Sequence, residues 1–157
     1  MLLPFFEWCE ATAWGQLVRN SLWLFPAIES VHLLGFCLLG GSILIVDLRM
    51  LGLGLRSQAI ADLARQSRPW LLAGVIVMVV TGVSLFLSEA VKCYYNPAFW
   101  VLIRTLPLAL LFTVTVRWRI GRNPAFDTSW WSRVVGTVSL GLWFTVAAAG
   151  RWIGFSS

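Results

Sequence analysis

The residues of this chain most suited to chemistry are a glutamate and the only histidine. They stand three positions apart in an otherwise apolar stretch, AIESVHLLGFCLLGG (residues 27–41). Residues at positions i and i+3 share one face of a helix, so Glu29 and His32 are predicted to lie side by side. Imidazole ligates haem iron and other metals, and it gains or loses a proton near neutral pH. The pair therefore fits a haem site, a proton or quinone site, or a structural ion pair with His32 hydrogen-bonded nearby.

Haem b binding is the most specific of these interpretations. His32 would ligate the iron as the metal-binding residue, glycines one turn away would leave room for a flat group, and Arg104 and Arg151 would meet the propionates. Glu29 completes the predicted cofactor-binding set. Because the chain has one histidine, bis-histidine ligation within it is excluded. The alternatives are a single-histidine site, Met78 as second ligand, or a histidine from another subunit; without haem, no cofactor is predicted.

Other metal and hydrolytic centres have little support in the sequence. One histidine with no suitably paired cysteine or methionine provides too few ligands for copper. The three cysteines show no CxxC or zinc-finger spacing. Cys37 is predicted to be a small buried residue, whereas Cys9 and Cys93 fall near the same membrane face, either as two thiols or as a disulfide. No serine or cysteine nucleophile is tied to a base by its spacing, so no enzymatic activity is assigned.

The elements that must position these residues are membrane-spanning helices. Hydrophobic residues make up 59% of the 157 residues and charged residues only 12%, whereas soluble domains carry about 25% charged residues. A bilayer core takes about 20 apolar residues per helix. Four segments reach that length, at about 22–46, 70–90, 98–116 and 134–152. The predicted fold is therefore all-α, an integral membrane four-helix bundle that forms a single domain over residues 1–157.

Two further segments have helical spacing outside the predicted spans. Residues 4–18 predict a short N-terminal helix in the outer membrane interface, or else a lead-in to the first span. Its water-facing residues would be Glu7 and Glu10, and its apolar side would carry Phe5, Trp8, Trp14 and Leu17. The stretch RSQAIADLARQSRPW (residues 56–70) predicts either a cytoplasmic surface helix or an extension of the second span. Pro107, inside the third span, predicts a kink because it removes a backbone hydrogen bond.

Basic residues indicate how the spans are oriented. Two connections hold four arginines each: Arg49, Arg56, Arg65 and Arg68 in one, and Arg117, Arg119, Arg122 and Arg133 in the other. The remaining connection and the N-terminal segment hold only Lys92 and Arg19. Since basic loops stay in the cytoplasm, both Arg-rich connections are predicted there and both termini outside. The net charge of +5 is thus a topology signal, and no nucleic-acid partner is predicted.

Counting along the helices places three ionisable residues in one layer of the membrane. At about 1.5 Å per residue, Glu29 and His32 lie roughly 10 and 15 Å below the outer boundary, and Arg104 lies about 9 Å below it. A charge deep in hydrocarbon costs about 2.5–3.5 kcal/mol, so it normally has a partner or a cavity. We therefore predict that Glu29 pairs with Arg104 and that this layer faces the interior of the bundle.

Two stretches, ESVHLLGFCLLGGSILIVDLRMLGLGLR and RPWLLAGVIVMVVTGVSLFLSEAVKCYYNPAFW, resemble an uncharacterised family of bacterial four-span inner-membrane proteins. Over residues 25–105 the layout is more distantly similar to the copper-resistance type membrane domain and to the haem-binding protoporphyrinogen oxidase of bacteria. Those groups also have a histidine in an early span and an NP dipeptide before a later one. The resemblance implies that His32 is the span histidine implicated in haem or metal binding. It also implies that Asn96–Phe99 is the NPxF element, with Arg104 as the nearest base where a lysine is common.

Two functions are predicted from these features. The first is a redox-associated subunit of the bacterial inner membrane that holds haem b through His32. The second is a non-catalytic accessory or anchoring subunit of a larger membrane complex, whose charged layer is purely structural. In both, the lipid bilayer surrounds the spans, and the chain assembles with copies of itself or with other membrane subunits.

Overall fold

The computed structural model describes residues 2–117, 119, 123, 127 and 129–155. Over these residues the protein is all-helical, with helices α1 (Leu3–Glu10), α2 (Ala13–Asn20), α3 (Leu24–Leu51), α4 (Ile60–Ser88), α5 (Ala90–Tyr95), α6 (Pro97–Phe112) and α7 (Trp130–Phe155). Helix α6 passes into a π-helical turn at Thr113–Arg117. The predicted all-α fold is confirmed. Arg122, which contributes to the orientation prediction, lies outside the described residues.

Four helices are long and apolar enough to cross a membrane, as predicted: Leu24–Leu51, Ile60–Ser88, Pro97–Val116 and Trp130–Phe155. The second begins at Ile60 rather than near residue 70, so the amphipathic stretch before Trp70 is an extension of that span. Pro69 consequently lies inside α4 and not at its start. Pro97 does begin α6, where the Asn96 side chain accepts a hydrogen bond from the Ala98 amide at 2.9 Å. Such an N-cap satisfies one of the free amides of the first turn.

The long helices pack in a defined order. Helix α3 packs along both α4 and α7, and α6 packs along α7, whereas α3 and α6 do not pack along each other. The start of α3, the end of α4, the start of α6 and the end of α7 meet at one end of the bundle, which we call the α5 end. The opposite end is the Arg-rich end. The α5 end is the one predicted to lie outside, and its orientation stays a prediction.

Three apolar clusters are stacked along the bundle. At the α5 end, Phe6, Cys9, Ala90, Cys93 and Phe99 are buried together. The middle cluster draws side chains from all four long helices, and its buried members are Leu39, Ile43, Ala109, Trp143 and Val146. The third cluster lies at the Arg-rich end and contains Val46, Met50, Ile60, Leu63 and Val135. Burial of these side chains holds the spans together, and the rest of the apolar surface faces outward.

The N-terminal segment forms two helices where one was predicted. Thr12 separates them, because its hydroxyl accepts a hydrogen bond from the Gly15 amide at 3.2 Å and so starts α2. The predicted apolar side is exposed, as a lipid-facing surface requires: Phe5, Trp8, Trp14 and Leu17. The prediction that Glu10 faces water was wrong. Its carboxylate pairs with Arg19 and accepts a hydrogen bond from the Val91 amide at 2.7 Å, so it joins α1 and α2 to the first turn of α5.

Close contact between α3 and α4 depends on glycines. A Cβ atom at Gly74 would lie 2.7 Å from the backbone nitrogen of Leu39, and one at Gly35 would lie 2.6 Å from a methyl of Val77. By contrast, Gly40 and Gly41 have nothing within 4 Å of such an atom. The glycines of the spans therefore fall into two groups, those that close a contact between helices and those that face open space. We call the contact surface of these two helices the α3–α4 seam.

Candidate functional site

His32 lies in the α3–α4 seam, half-buried, in the half of the bundle nearer the α5 end. Its Nδ1 atom is 2.7 Å from the hydroxyl oxygen of Thr81, which is a buried residue of α4. The same hydroxyl donates a hydrogen bond to the carbonyl oxygen of Val77 at 2.6 Å. Intramembrane hydroxyls commonly bond to the backbone one turn earlier in this way. His32 is therefore fixed by a two-step chain of hydrogen bonds that ends on the backbone of α4.

This chain of bonds determines which ring nitrogen of His32 carries the proton. A hydroxyl has one hydrogen, and we assign that of Thr81 to the bond with Val77, so that its oxygen accepts a bond from the imidazole. The proton of neutral His32 is then on Nδ1, and the lone pair is on Nε2. Nε2 has no hydrogen-bond partner among the described residues. The site thus offers a free, oriented imidazole nitrogen.

The surroundings of the ring are small and apolar. A Cβ atom at Gly82 would lie 3.3 Å from Cε1 of His32, so a larger residue there would press on the ring. Met78, one turn deeper on α4, packs against the middle apolar cluster. The side chain of Met78 is used in core packing and is not presented as a ligand. The prediction of Met78 as a second haem ligand therefore gains no support.

Glu29 is the charged residue that the fold places beside His32. The two are one turn apart on α3 and interact electrostatically, as their spacing predicted. Glu29 is exposed on the outside of the bundle, and no hydrogen bond or ion pair joins its carboxylate to another described residue. Its side chain therefore faces lipid or a partner.

Arg104 and Arg151 do not join this pair. Arg104 is exposed on α6, a helix that does not pack along α3. The predicted ion pair between Glu29 and Arg104 was therefore wrong within one chain, and so was the prediction that these charges face the bundle interior. Arg151 is exposed on α7, and its guanidinium carbon lies 4.3 Å from the centroid of the Phe155 ring, a cation–π contact.

Two open grooves among the described residues lie away from His32. The larger is an open groove at the α5 end, of about 640 Å³, lined by Leu2, Tyr94, Tyr95, Pro97 and Trp100. The second lies along α2, beside Gln16 and Asn20 among other residues. Neither is lined by His32. A flat group bound at Nε2 would therefore lie against the outer surface of the bundle, where a neighbouring subunit could cover it.

The cysteines occupy two kinds of environment. Cys37 is exposed on α3, so the prediction that it is buried was wrong. Cys9 and Cys93 are buried in the cluster at the α5 end, and both are free thiols. Burial raises the pKa of the Cys93 thiol to about 11; the charges of Glu89 and Glu10 act in the same direction, and Lys92 opposes them. Burial also raises the pKa of Cys9. Both thiols are thus kept protonated at neutral pH.

Thr81 is the site residue that sequence reasoning missed. It lies seven residues before the end of α4, and His32 lies eight residues after the start of α3, so their depths agree to within about 2 Å. The same depth count that was applied to the charged residues would have matched His32 with the hydroxyl in VVTGVS. The signal was available, but it becomes specific only once α3 and α4 are known to be neighbours.

Four apolar spans, with ionisable side chains in the α5-end half of three of them, define a multi-pass membrane protein of the all-α class. The chain belongs to a family of unknown function, DUF6644, whose model matches residues 5–156. No curated protein and no solved structure matches the chain. The resemblance to an uncharacterised family is thereby confirmed. The more distant similarity to copper-resistance and haem-binding membrane proteins stays a prediction.

Proposed function

We propose that this protein is a redox-associated subunit of a bacterial inner membrane and that it binds haem b through His32. The proposal places Nε2 of His32 at the iron, in the half of the bilayer nearer the α5 end. It requires a second subunit, either another copy or a different membrane protein, to cover the cofactor and complete its ligation. Glu29, Arg104 and Arg151 are proposed as polar contacts around that assembled site.

The observation that carries the proposal is the 2.7 Å contact between His32 Nδ1 and the Thr81 hydroxyl, in which we assign Nδ1–H as the donor. Metal-ligating histidines almost always donate their other ring N–H to an oxygen, which fixes the tautomer and makes the ligating nitrogen a better electron donor. A hydroxyl on α4 holds one ring nitrogen of His32 and leaves the other open, so Nε2 would be presented to the iron.

His32 provides a donor atom that suits haem iron. The other described residues of one chain do not enclose the cofactor. The imidazole has the required donor atom, and a single histidine can hold a b-type haem. The α3–α4 seam is closed by tight contacts, and the described cavities are elsewhere. When bound, haem would supply one-electron transfer. The contribution of this chain is to orient Nε2 and to hold the proton on Nδ1.

Optical spectroscopy of the purified protein tests the proposal. Protein made with haem available should show a Soret band that shifts on reduction, and His32→Ala should abolish it while the chain still inserts into the membrane. Thr81→Ser is the matched control, because it keeps the hydroxyl that orients the ring. A haem-replete membrane preparation in which the chain keeps its partner subunit and still shows no haem band that depends on His32 would exclude haem binding by this chain.

A second candidate function is favoured by the exposed charges. Glu29 and Arg104 face outward at membrane depth, which suits an accessory or anchoring subunit whose charged layer serves assembly alone. In that case His32→Ala would weaken the fold through the cavity left by the imidazole and change no spectrum. The same spectroscopic comparison therefore separates the two candidates.

A further inference from the structure

We propose that two copies of this chain associate within the membrane through an ion pair between Glu29 of one copy and Arg104 of the other. The proposal concerns an interface and does not depend on haem binding. It involves two outward surfaces. The α3 face consists of Glu29, Leu33 and Phe36, and the α6 face consists of Arg104, Leu108 and Leu111.

Neither charged residue has a partner among the residues that the structure describes. Glu29 and Arg104 are exposed, and neither forms a hydrogen bond or ion pair with another described residue. Arg151, by contrast, lies against the Phe155 ring, and Lys92 pairs with Glu89 at 3.4 Å. An ionisable group at membrane depth normally has a partner, so these two residues point to a contact outside the chain.

The two charges lie at the same depth. The span that begins at Pro97 has 20 residues, or about 30 Å, which only just crosses the hydrocarbon core, so its ends must lie close to the two boundaries. Arg104, seven residues into it, is therefore about 10 Å below the boundary. Glu29 is five residues into α3, or about 8 Å from the same end. The difference is well within the reach of an arginine side chain.

The packing order makes the partner a second copy. Helix α7 packs along both α3 and α6, while those two do not pack along each other, so the two charges cannot meet within one chain. The acid and the base nonetheless have opposite charge and matching depth. The side chains one and two turns deeper on each face are apolar and exposed, namely Leu33 and Phe36 on α3 and Leu108 and Leu111 on α6. A copy presents both halves of the interface, so a second copy of the chain is the complementary partner.

Cross-linking in membranes tests which faces meet. In a chain with Cys9, Cys37 and Cys93 replaced by alanine, one tagged copy carries Leu33→Cys and a differently tagged copy carries Leu108→Cys. A short bis-maleimide should join these copies. The matched control pairs Leu108→Cys with Val80→Cys, an exposed α4 position at similar depth. Equal cross-linking of the two pairs would overturn the proposal.

Charge exchange tests the ion pair itself. Glu29→Gln should weaken self-association about tenfold, the effect expected from losing one interhelical polar contact in a bilayer. Copies with Glu29→Arg alone, or with Arg104→Glu alone, should not self-associate. Mixing the two variants restores opposite charges at both contacts, so the mixture should associate as the wild type does.

Mixing also separates the interface from misfolding, because misfolded copies would not regain association when combined. Failure of the mixture to associate would overturn the proposal. Unchanged self-association in Glu29→Gln and Arg104→Gln would do the same, since it would show that the two charges do not contribute to association. Association only with a different membrane protein, and not between copies, would also contradict it.

Discussion

One hydroxyl group determines the chemistry of the imidazole in this protein. Thr81 gives its hydrogen to the Val77 carbonyl and accepts a bond from Nδ1 of His32. The two ring nitrogens are therefore not equivalent, because the imidazole cannot exchange their positions without breaking that bond. A carboxylate on the same helix face, Glu29, adds a negative charge nearby but does not replace the hydroxyl.

The first prediction is the tautomer of His32. Because the chain has one histidine, ¹⁵N-labelled histidine should give one pair of ring signals, with Nδ1 in the protonated range and Nε2 in the unprotonated range. Thr81→Val should remove this preference and cost about 1–3 kcal/mol of unfolding free energy, since Nδ1–H is left without an acceptor. Thr81→Ser should retain both. A wild-type protein with the proton on Nε2 would contradict the assignment.

The second prediction concerns Cys93. With a pKa of about 11, only about one thiol in a thousand is ionised at pH 8. In a variant whose only cysteine is Cys93, maleimide labelling should be slow at pH 8 and should rise about tenfold per pH unit until the pH approaches 11. The unfolded protein is the control, and its rate should level off near pH 9. A folded protein that levels off there too would show that Cys93 is not shielded.

The same shift in pKa gives the sign of a stability effect. The folded pKa of Cys93 lies above its unfolded value of 9.0, so its contribution to stability is fully present below pH 9. That contribution is lost as the pH rises towards 11, because the unfolded chain ionises first. Cys93→Ala should therefore flatten the loss of stability over this range.

At the scale of elements, the α3–α4 seam depends on a few positions without side chains. Gly74→Ala would place a methyl 2.7 Å from the backbone nitrogen of Leu39, which cannot move as a side chain can. We expect a loss of about 1–3 kcal/mol of unfolding free energy in mixed micelles, the usual cost of overpacking. Gly41→Ala is the matched control, since it faces open space and should be neutral or slightly stabilising. Similar losses in both variants would argue against a tight seam.

The elements also show what the sequence could predict. The existence of the four spans could be predicted from the length and hydropathy of four apolar segments, which are read directly from the sequence. The start of α4 was left open, since the stretch before Trp70 is amphipathic and fits either a surface helix or an extension. The break at Thr12 was missed, although a threonine three residues before a glycine amide is a recognisable cap. The sequence thus indicated the local chemistry of each segment. Choosing between two local structures, such as a surface helix and an extension of a span, required knowledge of how the helices pack.

At the scale of the whole molecule, orientation is the prediction to test. Reporter fusions after residues 56 and 125 should report the cytoplasm, and a fusion at the C-terminus should report the outside, because the Arg-rich connections stay in the cytoplasm. Replacing the arginines of the first Arg-rich connection by glutamine should reduce the fraction in this orientation. An outside signal after residue 56 in the wild type would reverse the topology.

The relations between helices could not be predicted. Depth along a span is a count of residues, so the common layer of Glu29, His32 and Arg104 was obtained from the sequence. Which way each side chain points around its helix, and which helices are neighbours, depends on packing. Without that information Glu29 was paired with Arg104 in one chain, and the true neighbour of His32, Thr81, was overlooked. The sequence therefore shows which residues are candidates for the site but not which of them lie together.

The spans differ in length, and this difference has a consequence for the surrounding lipid. Helices α3 and α4 have 28 and 29 residues and are about 42–44 Å long, whereas the span that begins at Pro97 has 20 residues and is about 30 Å long. The long helices can tilt or extend into the headgroups, but the short one cannot stretch. At about 30 Å, the hydrocarbon thickness of an ordinary bilayer, α6 spans the membrane only when it stands nearly upright. A thicker membrane would have to thin around α6, at a cost for each ångström of mismatch, and that cost would fall where a second copy of the chain covers α6.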